Sequence, residues 1–197
     1  GVQTCALPIS GMLTGPLRDR FQMREHLDFY SVEELTQIIK GNAKILQMEI
    51  DDESANEIAI RSRSTPRIAN NRLRCVRDYV TARADGKIDP EITRAALLKW
   101  EIDTLGLDKM DRKYLETPIG VFRGGPAGVE AIAHTINTAS DTLIDEVEPF
   151  LLRTAMVVRT PRGRVATQRA FDHMGMSGKP VDIDNESVGD DQDTLFT

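Results

Sequence analysis

Apolar residues recur at helical spacing through most of the chain, and the polar residues between them mark where helices begin. Leu35, Ile38, Ile39 and Leu46 follow Ser31, and Glu34, three residues after that serine, completes a capping box, so a helix is predicted over about 32–47. Ala55, Ile58, Ala59 and Ile60 predict a second helix behind the stretch MEIDD. Thr65 and Pro66 supply an N-cap and an N1 proline for a third over about 66–83, and ADGK turns the chain. Asp89 and Pro90 repeat that cap chemistry for a fourth, which runs through Ile92, Ala95, Ala96 and Leu97 to Trp100. The first unit is therefore read as a four-helix bundle.

The pattern changes beyond a link at about 103–107. A helix over about 108–117, the glycine-rich loop FRGGPAG, a short helix from Val129 and another opening at Ser140 lead into MVVRTPRGRVAT. Val157, Val158 and Val165 favour two short strands there, joined by a Pro-Arg-Gly turn that Gly163 permits. Three helices and a hairpin predict a winged helix-turn-helix. The expected fold is thus mainly α, a four-helix domain followed by a winged helix-turn-helix domain with a β-hairpin wing.

Length and composition agree with that picture. The chain has 197 residues, which suits two compact units, and its 40% hydrophobic and 28% charged content is that of ordinary globular proteins. No apolar run approaches the roughly 20 residues that a membrane helix needs, so no membrane partner is expected. Cys5 and Cys75 lie too far apart in sequence for a disulfide framework or metal knuckle, which fits a reducing, cytoplasmic setting. His26, His134 and His173 are scattered, and no metal site is expected. GVQTCALPIS is uncharged and does not read as a signal peptide.

Charge is unevenly placed. The formal net charge is −6, yet from Gly175 onward Asp182, Asp184, Glu186, Asp190, Asp191 and Asp193 face only Lys179. Residues 176–197 therefore read as a disordered acidic tail, and the chain before them is close to neutral.

Within that neutral part lie three basic clusters. Arg153, Arg159, Arg162, Arg164 and Arg169 occur without an intervening acid, and the central three crowd the hairpin. Arginine on an exposed turn neutralises phosphates through its forked donors without reading base sequence, and a helix-turn-helix followed by an arginine wing is a common grip on duplex DNA. Ser140, Thr142 and Thr135 at helix ends are weaker phosphate candidates, and a merely solvated basic hairpin is the competing reading. A second cluster, RSRSTPRIANNRLRCVRDY, places Arg67 in the first turn of the third helix, where the partial positive charge of the helix end favours a nucleotide phosphate. A solvated face or an oligomer contact explains the same pattern, and spacing does not decide between them. In the third, PLRDRF, Asp19 sits between Arg18 and Arg20, an arrangement suited to an arginine finger but also to a local ion pair. No Walker A sequence GxxxxGK[ST] occurs, so the chain is not expected to hydrolyse ATP alone.

GMLTGPLRDRF, LDFYSVEEL, RSTPRIANNRLRCVRDY, ADGKI, LGLDKMDRKYLE, GGPAGVEAIA, EVEPFLL and RTPRGRVAT together resemble, in order, the C-terminal portion of the RuvB family. These are bacterial AAA+ ATPases that drive Holliday-junction branch migration in recombination and repair. The resemblance covers Gly11 to Gly175. It implies the end of a large ATPase domain over 11–31, a small ATPase or lid domain over 32–104, and a winged-helix head over 105–175.

By the same resemblance Arg20 matches the arginine finger, with Arg18 as support, and Arg20, Tyr30 and Arg67 match positions that contact ATP or ADP. Arg159 and Arg164, with Arg162 between them, match the DNA-gripping wing. The implied whole is a homohexamer around duplex DNA, fuelled by Mg-ATP and working with RuvA and RuvC. Walker A, Walker B, sensor 1 and the RuvA-docking hairpin would fall before Gly11, and residues 1–10 are read as a non-native junction.

Three positions and one stretch depart from the family pattern. Gln22 and Ala155 stand where glycine is usual, Pro118 predicts a kink or early stop in a head helix, and the first ten residues match nothing expected. Two other classes compete: a winged-helix transcription regulator with a helical oligomerisation domain, which would read a preferred sequence, and an origin-initiator or clamp-loader subunit. TPRIAN and RTPRGR in one chain count against the latter by resemblance.

Overall fold

The computed structural model describes residues 28–83 and 87–178, together with Pro16 and Arg20. The expectations for residues 1–10, Arg18, Gln22 and most of the acidic tail lie outside the described residues.

Each helix of the first unit begins where cap chemistry places it. Helix α1 (Val32–Ile45) opens on the reciprocal capping box of Ser31 and Glu34. Strand β1 (Glu49–Ile50) leads to α2 (Asp52–Ile60), whose Ser54 amide is capped by Asp51. Helix α3 (Pro66–Arg83) starts at the predicted proline, although the Thr65 hydroxyl donates to the Ser62 carbonyl. Strand β2 (Lys87–Ile88) precedes α4 (Pro90–Lys99), capped by Asp89. The pairing of β1 with β2 is parallel and only two residues long, too short to leave a sequence signature. The faces turned inward carry Leu35, Ile39, Ala55, Ile58, Leu73, Val76, Ile88 and Leu97, which form one core.

A separate core serves the second unit, built on Leu107, Tyr114, Leu115, Ile132, Leu143, Leu151, Val157 and Phe171. Helix α5 (Lys109–Glu116) runs into a π-helical turn at Thr117–Val121. The α-helix stops at Glu116, two residues before Pro118, and the chain widens there into the π turn, which carries it past a residue that has no amide to donate. Helix α6 (Val129–Ile136) follows, then α7 (Ser140–Thr142), a second π turn (Leu143–Val147) and α8 (Glu148–Arg153). Strands β3 (Val157–Thr160) and β4 (Gly163–Ala166) make the antiparallel hairpin. Helix α9 (Gln168–Met174), which the hydrophobic pattern did not single out, closes the unit and buries Ala170 and Phe171.

Gly163, which closes the hairpin turn opposite Thr160, has a second task. Ala127 bridges to Arg164 as a third short edge of the hairpin, and a Cβ on Gly163 would lie 2.6 Å from the Ala127 carbonyl oxygen. Glycine is required there by close backbone approach as well as by its φ of +143°. Gly106, in the link between the units, is held in the same way: its φ is +81° and a Cβ would meet the Arg61 carbonyl oxygen at 2.5 Å.

Candidate nucleic-acid interface

Hairpin register decides how the wing arginines are displayed. Arg159 pairs directly with Arg164, so both side chains leave the same face of the hairpin. Two like charges directly opposite one another repel. The face they share is also the one that sends Val157 and Ala166 into the core, so the arginines point along the body of the domain rather than away from it. Between them lies Glu148, the first residue of α8, fully buried. Its Oε2 accepts from Arg159 Nε at 3.0 Å and Nη2 at 2.5 Å, and its Oε1 accepts from Arg164 Nε at 2.8 Å. The Tyr114 hydroxyl of α5, itself buried, donates to the same Oε1 at 2.8 Å.

The electrostatics of the cluster follow. Burial raises the Glu148 pKa, but the hydrogen bonds from Arg164, Tyr114 and Arg159 outweigh it and hold the carboxyl below its ordinary range. Burial, together with the neighbouring carboxylate, pushes the Tyr114 phenol up, so it stays a donor. The Arg159 side chain is 49% exposed and that of Arg164 19%. Arg162 occupies the exposed turn between the strands. Neither Glu148 nor Tyr114 was singled out from the sequence. A glutamate opening a helix ordinarily faces water beside the positive helix end, and nothing local marks this one as buried.

Residues on the neighbouring helical segment have the opposite character. Asp141, Asp145 and Glu146, between Ser140 and Arg153, are all exposed. The Thr135 hydroxyl donates back to the Ala131 carbonyl within α6.

The nucleotide candidates sit at the other unit. Arg20 is exposed in a turn. The Tyr30 amide donates to the Ser64 carbonyl at 3.2 Å, which brings the segment before α1 to the start of α3, and the Tyr30 ring is partly exposed. Arg67 is exposed on the first turn of α3 and lines a cleft of about 300 Å³ with Arg63, Asn71, Arg72, Cys75 and Trp100. Most other arginines of that cluster are structural. Arg61 pairs with Glu57 at 2.9 Å, Arg77 with Asp78 at 2.6 Å, and Arg63 and Arg72 reach the second unit. Among the described residues no group of His, Cys, Asp and Glu is placed to hold a metal ion, and no helix is long and apolar enough to cross a membrane.

A helical lid followed by a winged helix whose wing carries arginines places the chain among AAA+ proteins with a winged-helix head. Residues 30–103 match the family model of the RuvB AAA lid domain, and residues 104–175 that of the RuvB C-terminal winged helix domain. The chain belongs to the RuvB family. It is 59% identical over 165 residues to the Holliday junction branch migration complex subunit RuvB of Rhodopirellula baltica, covering 84% of this chain and 45% of that protein. The counterpart from Nocardia farcinica is 50% identical over 171 residues, 87% of this chain and 48% of the other. The solved Thermotoga maritima RuvB branch migration motor superposes with a TM-score of 0.80 at 43% identity, over 85% of this chain and 56% of that one. The chain spans about half the length of the curated relatives it matches.

Proposed function

We propose that this chain supplies the nucleotide-sensing lid and the DNA-gripping head of a RuvB-type motor that drives Holliday-junction branch migration. Residues 32–104 act as the lid, 105–175 as the head, and 11–31 as the end of a large ATPase domain. The observation that carries the reading is the contrast within the head. Its wing presents Arg159, Arg162 and Arg164, whereas the helical segment that a sequence-reading regulator would lay in the major groove exposes Asp141, Asp145 and Glu146. Acids there repel phosphates, and a wing of arginines binds backbone without regard to sequence.

In the working motor Mg-ATP supplies the free energy. Arg67 and Tyr30 contact nucleotide on their own subunit, and Arg20, supported by Arg18, reaches a neighbouring subunit's phosphate. Arg67 is fit for that part: it is an exposed guanidinium in the first turn of a helix, at the edge of a cleft. The partners of this reading are duplex DNA, RuvA, RuvC and further copies of the chain in a hexamer, in the cytoplasm. With no Walker A sequence the chain itself is not expected to hydrolyse ATP.

The test is fluorescence anisotropy of the chain on two unrelated duplexes across a salt series, beside the Arg159→Ala, Arg164→Ala double variant. Equal affinity for both duplexes is expected, falling with salt, with a log–log slope shallower in the variant by about two phosphate contacts. Marked preference for one duplex turns the reading toward a regulator.

A further inference from the structure

A buried carboxylate between two arginines on a DNA-facing wing is electrostatically the wrong sign for a phosphate grip. It lowers the positive charge offered to DNA, and an isolated carboxylate at full burial is strongly unfavourable unless it is paired. Its geometry explains why it is there. Arg159 and Arg164 are cross-strand neighbours whose guanidinium groups repel, and without an anion between them they splay apart. Glu148 takes the Nε edge of each, and its Oε2 accepts from both guanidinium groups. Each arginine keeps donors on its outer edge, because a guanidinium has five and the carboxylate takes only two from each.

The carboxylate is in turn fixed from below. Tyr114 donates to Oε1 from α5, and Glu148 sits on the first turn of α8, so three elements of the head meet at this one group. The wing's arginines are thereby referenced to the helical body rather than left on a free hairpin.

We propose that Glu148, oriented by Tyr114, is a positioning residue for DNA: it sets Arg159 and Arg164 in the posture that grips two phosphates of the duplex backbone. This deepens the DNA-gripping reading of the wing and rests on it. A positioning role and a purely electrostatic one predict opposite signs. Glu148→Gln removes a negative charge from the DNA face, which by charge alone tightens binding. Held as a positioning residue, it weakens binding, because the amide offers an N–H₂ where an arginine needs an acceptor, and the pair is released.

The experiment measures duplex affinity and salt slope for the wild-type chain, Glu148→Gln, Tyr114→Phe and Glu148→Gln added to the Arg159→Ala, Arg164→Ala double variant, each checked for folding by circular dichroism. Glu148→Gln is expected to bind about tenfold more weakly, with a salt slope shallower by about one phosphate contact. Tyr114→Phe, which changes no charge, is expected to weaken binding about threefold. Added to the double arginine variant, Glu148→Gln is expected to weaken binding no further, since its positioning action runs through those two side chains and only the tightening from the lost charge is left. Wild-type affinity or tighter binding in a folded Glu148→Gln chain overturns the proposal. Where that variant fails to fold, Tyr114→Phe decides: weaker binding supports positioning, and unchanged binding overturns it. A wild-type chain that binds neither duplex sinks the functional reading itself, which separates that failure from failure of the positioning role.

Discussion

Four of the described helices end on the same device with a residue other than glycine in the left-handed position, Asn137 (φ +55°) after α6 among them. After α8, Ala155 adopts a left-handed φ of +53°; its amide donates to Leu152 and that of Met156 donates to Leu151, the paired bonds of a Schellman cap. Gln47 after α1 (φ +57°) and Glu101 after α4 (φ +56°) repeat the pattern. A β-carbon in that region crowds the following carbonyl oxygen. Ala155 has no side-chain polar group to offset this, so it is the position where relief is cleanest. Ala155→Gly is expected to stabilise the chain by about 1 kcal/mol net of the extra freedom glycine has when unfolded. For a chain of this size that is a rise of about 2 to 4 °C in thermal midpoint, read by differential scanning calorimetry. A midpoint unchanged or lowered means that the cap holds alanine without strain. The change leaves Arg159 and Arg164 untouched, so DNA affinity is expected to stay constant.

At the level of elements, α5 shows how much of the fold could be read locally and where reading stopped. Caps are local, and the starts of α1, α3 and α4 fall where Ser31 with Glu34, Pro66, and Asp89 with Pro90 put them. What surrounds α5 is not local. Asp108 and Asp111 make a reciprocal capping box, and Arg63, far upstream, donates to both carboxylates. No spacing rule links Arg63 to Asp111, just as none linked Glu148 to the wing; both partners lie across the fold, and their sequence context looks like ordinary surface charge. Helix α9 and the two-residue β1–β2 pairing were missed for the opposite reason, since both are too short for periodicity to register.

The burial of Asp111 gives α5 a pH dependence. Its Oδ1 is buried without a hydrogen-bond partner, and burial pushes its pKa up to about 7 although Arg63 pulls the other way. The folded chain then holds a proton at pH values where the unfolded chain, with an ordinary carboxyl, has released it. This contribution to stability is full at low pH and is lost as pH rises through about 7. Glu148 works in reverse: its lowered pKa stabilises at neutral pH, and that contribution is lost as pH falls below the ordinary carboxylate range. Asp111→Asn is therefore expected to flatten the decline of thermal midpoint between about pH 4 and 7, the interval between the ordinary carboxyl pKa and that of the folded chain. An unchanged decline on the neutral side removes Asp111 as its source.

Taken whole, the molecule has two separate hydrophobic cores joined by a seam that is mainly polar. Arg63 reaches from the lid to Asp108 and Asp111, and Arg72, nearly buried, donates to the Gly106 carbonyl at 2.9 Å. From the head, Arg153 donates to the Arg63 carbonyl at 2.7 Å while its guanidinium lies over the Phe29 ring, 3.9 Å from the centroid. His173 of α9 meets Asp103 at 2.8 Å. Under the proposed function this seam is what lets a movement sensed at Arg67 carry the wing with it, because lid and head turn as one body. Arg63 is its keystone, since it pairs with a buried carboxylate and lies over the Phe150 ring. Removing one member of a buried pair strands the other, at about 3–5 kcal/mol. Arg63→Ala is therefore expected to split a single thermal transition into two, with the cores melting separately, whereas the wild-type chain melts once. The loss is expected to be smaller at pH 5 than at pH 8, because below about 7 Asp111 takes up a proton and no longer needs its partner. One coincident transition in Arg63→Ala at both pH values would mean that the seam is held elsewhere, with Arg72 and Arg153 the next positions to remove.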